Sequence, residues 1–326
     1  MKGIILAVVL TFLITAAIGP MVIKKLQKMK FGQKILEIGP KWHMAKQYTP
    51  TMGGFMFIVP IAVISIVLLA TGSTTASILP MVGISVVFGL IGFVDDYAKV
   101  KKKQNMGLTP KQKLALQILA AVIFVTVLRM QGSLSTDLYI PFVNTTLHLH
   151  WLVYMIFAAF VIVGTVNAVN LTDGIDGLAA GVTLPVAVFF IVYGIVARIS
   201  SVSVFAAALA GGLAAFLIYN FNPAKVFMGD TGSLFLGGCV AGLAFACDMP
   251  LILILVGLVY IIETVSDILQ VLYFKATGGK RLFKMAPIHH HFEMCGWSEK
   301  EIVVTFSLLT VGMCVLAYFG VLPRIR

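Results

Sequence analysis

Long apolar runs dominate this chain of 326 residues. The runs are about 17 to 22 residues long, the length at which an α-helix crosses ~30 Å of hydrocarbon, and short polar stretches separate them. Transmembrane β-barrels need polar alternation along each strand, whereas runs such as 241–246 and 251–262 have none. Because lipid offers no partners for backbone polar groups, helices are the spanning structure that remains.

Composition leads to the same class of protein. Hydrophobic residues make up 60% of the chain and charged residues only 11%, whereas soluble domains carry about 25% charged residues. The chain has too few charges to cover a water-facing surface, which excludes a soluble enzyme. No repeat or linker divides it, so we predict an all-α polytopic membrane protein with a single domain over residues 1–326.

The hydrophobic pattern predicts ten transmembrane spans. The eighth and ninth nearly touch at Asp248, and their boundary is the least defined. The first run resembles a signal peptide, but it is long for one and four lysines follow it, so we expect it to stay as a span. The predicted spans are 3–23, 53–71, 76–95, 114–130, 150–167, 176–197, 203–220, 233–247, 250–273 and 302–322.

Charge distribution predicts the orientation. The net charge is +11, from 24 Lys and Arg against 13 Asp and Glu. Of the basic residues, 19 lie in the odd-numbered loops and 5 in the even loops and the two tails. By the positive-inside rule, the odd loops are cytoplasmic and both termini are outside. The basic excess is therefore mainly a topology signal, which also attracts anionic lipids and an anionic substrate to the cytoplasmic face.

The four cysteines stand far apart, at Cys239, Cys247, Cys295 and Cys314, without a Cys-x-x-Cys pair. This spacing suggests neither a disulfide framework nor a zinc site. We expect reduced, structural cysteines.

Five aspartates gather at the predicted cytoplasmic ends of the spans, in three segments. Charged groups beside spans are costly and usually kept for function. The first segment holds Asp95 and Asp96, which suit a divalent cation or acid–base chemistry. Acids at the C-terminal end of a helix oppose its dipole, so we expect another group to stabilise this pair.

In the second segment, Asn167, Asn170, Asp173 and Asp176 recur every three residues. Neighbours with this spacing share a face if the segment is helical. Asn and Asp oxygens suit Mg²⁺, and the amides also suit a sugar or a base.

The third segment, 219–233, joins an aromatic-rich turn containing Asn220 and Phe227 to Gly229, Asp230 and Gly232. Asp230 precedes the eighth span, where its carboxylate could meet the other clusters while backbone N–H groups meet phosphate oxygens. A turn rich in Gly, Asn and Pro is the alternative interpretation.

A triple histidine, His289, His290 and His291, lies before the last span. Consecutive side chains on a helix point about 100° apart, so the three cannot all bind one metal. Donors to phosphate or to a substrate carboxylate are the better interpretation.

Glu263 and Asp267 lie on one face of span nine. Three interpretations of this pair remain open: buried structural polar groups, a bend, and part of a lipid groove. We assign neither to the site.

Acidic clusters that hold Mg²⁺, next to Lys and His at a membrane surface, suit phosphoryl-type transfer from a soluble donor to a lipid acceptor. The motifs that carry this chemistry closely resemble those of the phospho-N-acetylmuramoyl-pentapeptide transferases, within the polyprenyl-phosphate N-acetylhexosamine-1-phosphate transferase superfamily. In chain order they are 49–54, 95–97, 167–177, 227–233 and 286–292. The triple histidine in its Ala-Pro-Ile-His-His-His-Phe-Glu setting resembles the muramoyl branch in particular.

This resemblance implies UDP-N-acetylmuramoyl-pentapeptide as the donor, undecaprenyl phosphate as the acceptor, and lipid I and UMP as the products. It also implies Mg²⁺ as the cofactor, a site facing the cytoplasm of a bacterial cell, and a homodimer. The charge distribution, which is read as a topology signal, argues against a nucleic-acid partner. A related transferase that uses UDP-N-acetylglucosamine is the alternative. A flippase without chemistry is a more distant one.

Residue by residue, the resemblance implies catalytic roles for Asp95, Asp96, Asp230 and His289, with Asp230 at the Mg²⁺. Asp95 or Asp96 would deprotonate or position the lipid phosphate, and a covalent route through an aspartate would use the same residues. Lys46, Lys111 and Lys113 match less specifically, since lysine-rich loops align ambiguously. The expected substrate-binding residues are Lys46, Asn167, Asn170, Asp173, Asp176, Asn220, Phe227, His290 and His291.

Overall fold

Helices in the computed structural model lie where the sequence predicts spans. The structure describes residues 1–29, 46, 49–102, 104 and 106–325. Within these residues the helices are α1 (Lys2–Lys28), α2 (Phe55–Ala70), α3 (Ile78–Lys102), α4 (Pro110–Met130), α5 (Trp151–Thr172), α6 (Leu178–Val196), α7 (Ser200–Asn220), α8 (Gly229–Ala246), α9 (Leu253–Val256), α10 (Leu258–Ala276), α11 (Ile288–Glu293) and α12 (Glu299–Ile325).

Of the helices in the described part of the chain, eight are long and apolar enough to cross a membrane. They are α1, α3 to α8 and α12. Helix α2 is apolar but has only 16 residues, and the predicted ninth span is bent. The all-α, polytopic character of the protein is confirmed.

The ninth predicted span, 250–273, is not one straight helix. A 3-10 turn, Pro250–Ile252, leads into α9, and α10 then departs at 81°. Gly257 separates α9 from α10, and glycine is a frequent residue at sharp helix bends. After the bend, α10 packs against α5, α11 and α12.

A short hairpin connects α4 to α5, in a loop for which the sequence analysis makes no prediction. Strand β1 (Asp137–Ile140) pairs antiparallel with β2 (Thr145–His148), with Asp137 opposite His148. Four-residue strands leave little hydrophobic periodicity to detect.

Contacts between helix ends show at which end of the bundle the two chain termini lie. Gly3 packs against Ser73, which follows α2, and Arg324 donates to the carbonyl oxygen of Asp248, which follows α8. Gly54, before α2, packs instead against Gly232, in the first turn of α8. Both chain ends therefore lie at the end of the bundle opposite the start of α8, as the predicted topology requires.

Helices α7 and α8 form the centre of the bundle, and in each of them 83% of the residues in the apolar 18-residue stretch are buried. Their sequences are rich in Gly, Ala and Ser, small residues that let membrane helices approach closely. Helix α8 makes its most extensive contact with α3. The four cysteines are free, and Cys295 alone among them is exposed.

Candidate active site

Three carboxylates meet where the last two turns of α3 lie against the start of α8. Asp95, Asp96 and Asp230 each offer an oxygen, and these oxygens lie within 4.8 Å of one another. The approach is close because residue 92 of α3 is glycine: a Cβ there would lie 2.1 Å from the carbonyl oxygen of Asp230. The structure thus joins the first and third acidic segments, and this cluster is a candidate metal site.

Asp96 is buried and caps the start of α8. Its carboxylate accepts hydrogen bonds from the Thr231 backbone N–H at 2.8 Å and the Thr231 hydroxyl at 2.7 Å. The Asp230 N–H lies 3.3 Å away. Helix α3 continues to Lys102, so Asp95 and Asp96 lie about two turns before its end and not at its last residue, where the predicted span had them. Because a helix N-terminus carries partial positive charge, the start of α8 stabilises the Asp96 carboxylate. Asp96 therefore positions Asp230 through the backbone.

Two lysines neutralise part of the cluster. The Lys99 ammonium lies 2.7 Å from Asp95 Oδ2 and 2.9 Å from Asp230 Oδ2, and Lys113 Nζ lies 3.0 Å from the same Asp230 oxygen. Three carboxylates against two ammonium groups leave one excess negative charge. Hard oxygen donors with excess negative charge fit a divalent cation such as Mg²⁺.

Lys113 was a less specific match in the sequence, and Lys99 was missed. A signal for Lys99 existed, since it follows Asp95 by four residues on α3, the spacing at which a helical ion pair forms.

The second segment reaches the cluster through Asn170. Its Nδ2 donates to Asp230 Oδ1 at 3.0 Å and to Ser233 Oγ at 2.7 Å. Asn167, one turn earlier on α5, instead donates to Gln117 Oε1 of α4 at 2.8 Å. The structure brings together all three segments that the sequence analysis singled out.

Asp173 and Asp176 differ in surroundings. Asp173 ends α5 and is partly exposed. Partial desolvation by the surrounding protein, together with the negative charges of Asp230, Asp96 and Asp176, raises the pKa of Asp173 well above its usual range. A carboxyl group with a raised pKa among other acids is typical of a functional site.

Asp176 is tied to protein groups. It pairs with Lys46 at 2.7 Å and accepts from the Ala224 N–H at 2.9 Å and from Asn222 Nδ2 at 3.2 Å. Lys46 also pairs with Glu299 at 2.5 Å. In this structure Asp176 and Lys46 fasten the turn after α7 and the start of α12.

Asn220 is the last residue of α7, and Phe227 lies in the turn between α7 and α8. Asn220 is buried, and its Nδ2 donates to the Val226 carbonyl at 2.9 Å. Phe227 is partly exposed, and its backbone bonds with Pro50 and Gly53 of the 49–54 motif. The 49–54 motif thus supports this turn, in which Phe227 is partly exposed.

The three histidines diverge, as helical geometry requires. His289 is fully buried, and its Nδ1 lies 2.8 Å from Glu263 Oε2. His290 Nδ1 lies 2.6 Å from Glu293, and His291 Nδ1 accepts from the Lys284 N–H at 3.1 Å.

Among the three histidines, His289 reaches the second segment. Its Nε2 has no hydrogen-bond partner among the described residues and lies so close to Gly174 that a Cβ there would be 2.1 Å from it. Glu263 has no predicted role in the site from the sequence alone. An acid within an apolar span needs a polar partner, and this requirement was the available signal.

A polar cavity of about 440 Å³ opens at the cluster. Its lining includes Asp95, Asp230, Lys99, Lys113, Gln117 and Asn167. An apolar groove of about 560 Å³ runs between α4 and α5, and it shares Leu114 and Asn167 with the cavity. The cavity with charged side chains therefore adjoins the apolar groove at the surface of the bundle.

Comparison with known proteins identifies the family. Residues 78–248 match the glycosyl transferase family 4. A phospho-N-acetylmuramoyl-pentapeptide-transferase of Acetivibrio thermocellus is 45% identical, over 96% of this chain and 93% of its own. Proteins of the same name from Clostridium perfringens strain 13 and Bacillus cytotoxicus are 47% and 44% identical, each over 98% of its own length and over 97% and 98% of this chain. The chain belongs to the family of phospho-N-acetylmuramoyl-pentapeptide transferases.

Proposed function

We propose that this protein transfers phospho-N-acetylmuramoyl-pentapeptide from its UDP donor to undecaprenyl phosphate, giving lipid I and UMP for peptidoglycan synthesis. The observation that carries this proposal is the polar, lysine-bearing cavity that adjoins an apolar groove. A nucleotide sugar needs the first and a polyprenyl chain the second. Relatives that carry the transferase name support the choice of substrates.

The membrane arrangement follows from the same proposal. The chain crosses the cytoplasmic membrane ten times as one domain, with α2 and the bent α9–α10 pair as two of the ten spans. Both termini are outside, and the acidic cluster faces the cytoplasm. The 19 to 5 distribution of basic residues supports this orientation. A homodimer stays a prediction.

Asp95 and Asp230 carry the chemistry in this proposal. Both line the cavity, whereas Asp96 is turned toward α8. Asp95 deprotonates or positions the lipid phosphate, whose oxygen forms a bond to the β-phosphorus of the donor. The bond from that phosphorus to the bridging oxygen breaks, and its electron pair leaves with UMP. The two lysines lie where phosphate charge must be neutralised.

Asp95, Asp96 and Asp230 would hold Mg²⁺, with Asp230 as the principal ligand. A Mg²⁺ ion held there would neutralise pyrophosphate charge and would make UMP a better leaving group. Asn170 orients Asp230 through its hydrogen bond at 3.0 Å. Asp173 and Phe227, both partly exposed, would meet the nucleotide, with the Phe227 ring stacked on uracil.

The purified protein in detergent is expected to release UMP only when the muramoyl donor, undecaprenyl phosphate and Mg²⁺ are all present. The acceptor supplies the attacking oxygen, and EDTA is expected to stop release because the carboxylates then repel the pyrophosphate. A coupled assay for UMP measures this. Release with UDP-N-acetylglucosamine alone would indicate the related transferase, and no release from a folded sample would contradict the proposal.

Replacement of Gly174 by alanine is expected to lower turnover by about 10²-fold, because misplacement of a side chain by about 1 Å can cost that much. The new methyl group would lie 2.1 Å from His289 Nε2 and must displace the ring or the loop. Gly83→Ala is the matched control, since a Cβ there has no atom within 4 Å. Equal UMP release by both variants would contradict the expected contact.

A further inference from the structure

A buried pair links the bent span to the triple histidine. Glu263 of α10 and His289 of α11 both have 0% exposed side chains, and Glu263 Oε2 lies 2.8 Å from His289 Nδ1. A carboxylate inside an apolar helix is costly, and such residues are usually kept for function. The partner of this carboxylate is the Nδ1 atom of His289.

The pair determines which ring nitrogen of His289 is available. With Glu263 ionised, Nδ1 carries the proton and donates it to the carboxylate, because a carboxylate can only accept. The other nitrogen, Nε2, then faces away from Glu263. It is buried, lacks a hydrogen-bond partner among the described residues, and is directed at Gly174 in the second segment, 167–177. A buried ring nitrogen without a partner points to a ligand that supplies one.

We propose that Glu263 is a positioning residue for the transferase reaction. It holds His289 in the orientation and tautomer that leave Nε2 for an oxygen of the phosphate-bearing substrate. This inference rests on the proposed function and adds a residue to it. The logic is that of a carboxylate that orients a catalytic imidazole without touching the substrate.

Glu263→Gln tests the proposal. The glutamine amide keeps the size of the side chain, but it can donate to Nδ1 and so allows the tautomer with the proton on Nε2. We expect kcat to fall by about 10²- to 10⁴-fold, with little change in KM and a retained melting temperature; removing the charge of such a carboxylate has effects of this size. Glu263→Asp keeps an acceptor and is expected to restore part of the activity.

Asp267→Asn is the matched control, because Asp267 lies four residues farther along α10 and is partly exposed. We expect wild-type kcat from this variant. A control variant as impaired as Glu263→Gln would contradict a specific role for Glu263.

A second readout does not depend on activity. In protein labelled with ¹⁵N-histidine, the His289 ring signals, assigned by their loss in His289→Asn, are expected to show Nδ1–H in the wild type and a shift toward Nε2–H in Glu263→Gln. Unchanged ring signals together with unchanged kcat would overturn the proposal. If the wild type itself releases no UMP, the proposed function fails instead, whatever the ring signals show.

Discussion

Replacement of Asp230 by asparagine is expected to reduce UMP release by about 10³-fold, the loss typical when a key charge is removed from an active site. Asp230 belongs to the carboxylate cluster, pairs with Lys99 and Lys113, and accepts from Asn170. The variant would leave two carboxylates against two ammonium groups. The excess negative charge that attracts a divalent cation would disappear.

The matched control for this change is Asp137→Asn. Asp137 lies on the hairpin, where its partner is the exposed His148 at 2.6 Å. We expect the Asp137 variant to retain activity and both variants to insert and fold, as judged by thermal unfolding in detergent. A Mg²⁺ titration should show weaker binding in Asp230→Asn alone. Activity near that of the wild type in this variant would remove Asp230 from the site.

Removal of the His289 ring is expected to lower turnover by about 10²- to 10⁴-fold, the usual contribution of a positioned acid or base. Cys295→Ala is the control from the same loop, because Cys295 is exposed and its Sγ lies 3.7 Å from His291 Nε2. Equal losses in His289→Ala and Cys295→Ala would mean that the segment matters for folding alone.

Alanine at residue 289 also leaves the buried Glu263 carboxylate without its partner, which costs about 3–5 kcal/mol of stability. His289→Asn avoids this difficulty. Its amide N–H can replace Nδ1–H as the donor to Glu263, but it has no equivalent of Nε2. A folded, inactive His289→Asn protein is the expected result. Full activity in this variant would show that Nε2 has no role.

The sequence predicted which residues belong to the site better than it predicted the hydrogen-bond and ion-pair partners of those residues. Asp95, Asn170 and Asp230 stand next to apolar runs of spanning length, so alternating topology puts them at one end of a bundle. The capping of α8 by Asp96 was beyond prediction, because it depends on how closely α3 packs on α8. The sequence analysis did require a stabilising group there, and the α8 N-terminus is that group.

The bend at Gly257 and the pairing of Glu263 with His289 were also beyond prediction. A continuous apolar run predicts a straight helix, whereas the chain turns by 81° between α9, which packs on α12, and α10. Periodicity placed Glu263 on the same face as Asp267, but it could not show that α11 covers only one of them. Tertiary contacts, which have no local signal, assigned these partners.

The groove between α4 and α5 has a kinetic consequence. Ile156 and Phe160, which line it, are 73% and 76% exposed on the outside of the bundle. A polyprenyl chain can thus slide in sideways without leaving the hydrocarbon. Its supply is then set by its mole fraction among neighbouring lipids and by two-dimensional diffusion, while the nucleotide arrives at a rate set by its molar concentration in water. Adding detergent would lower the supply of the polyprenyl substrate by surface dilution and would leave the supply of the nucleotide unchanged.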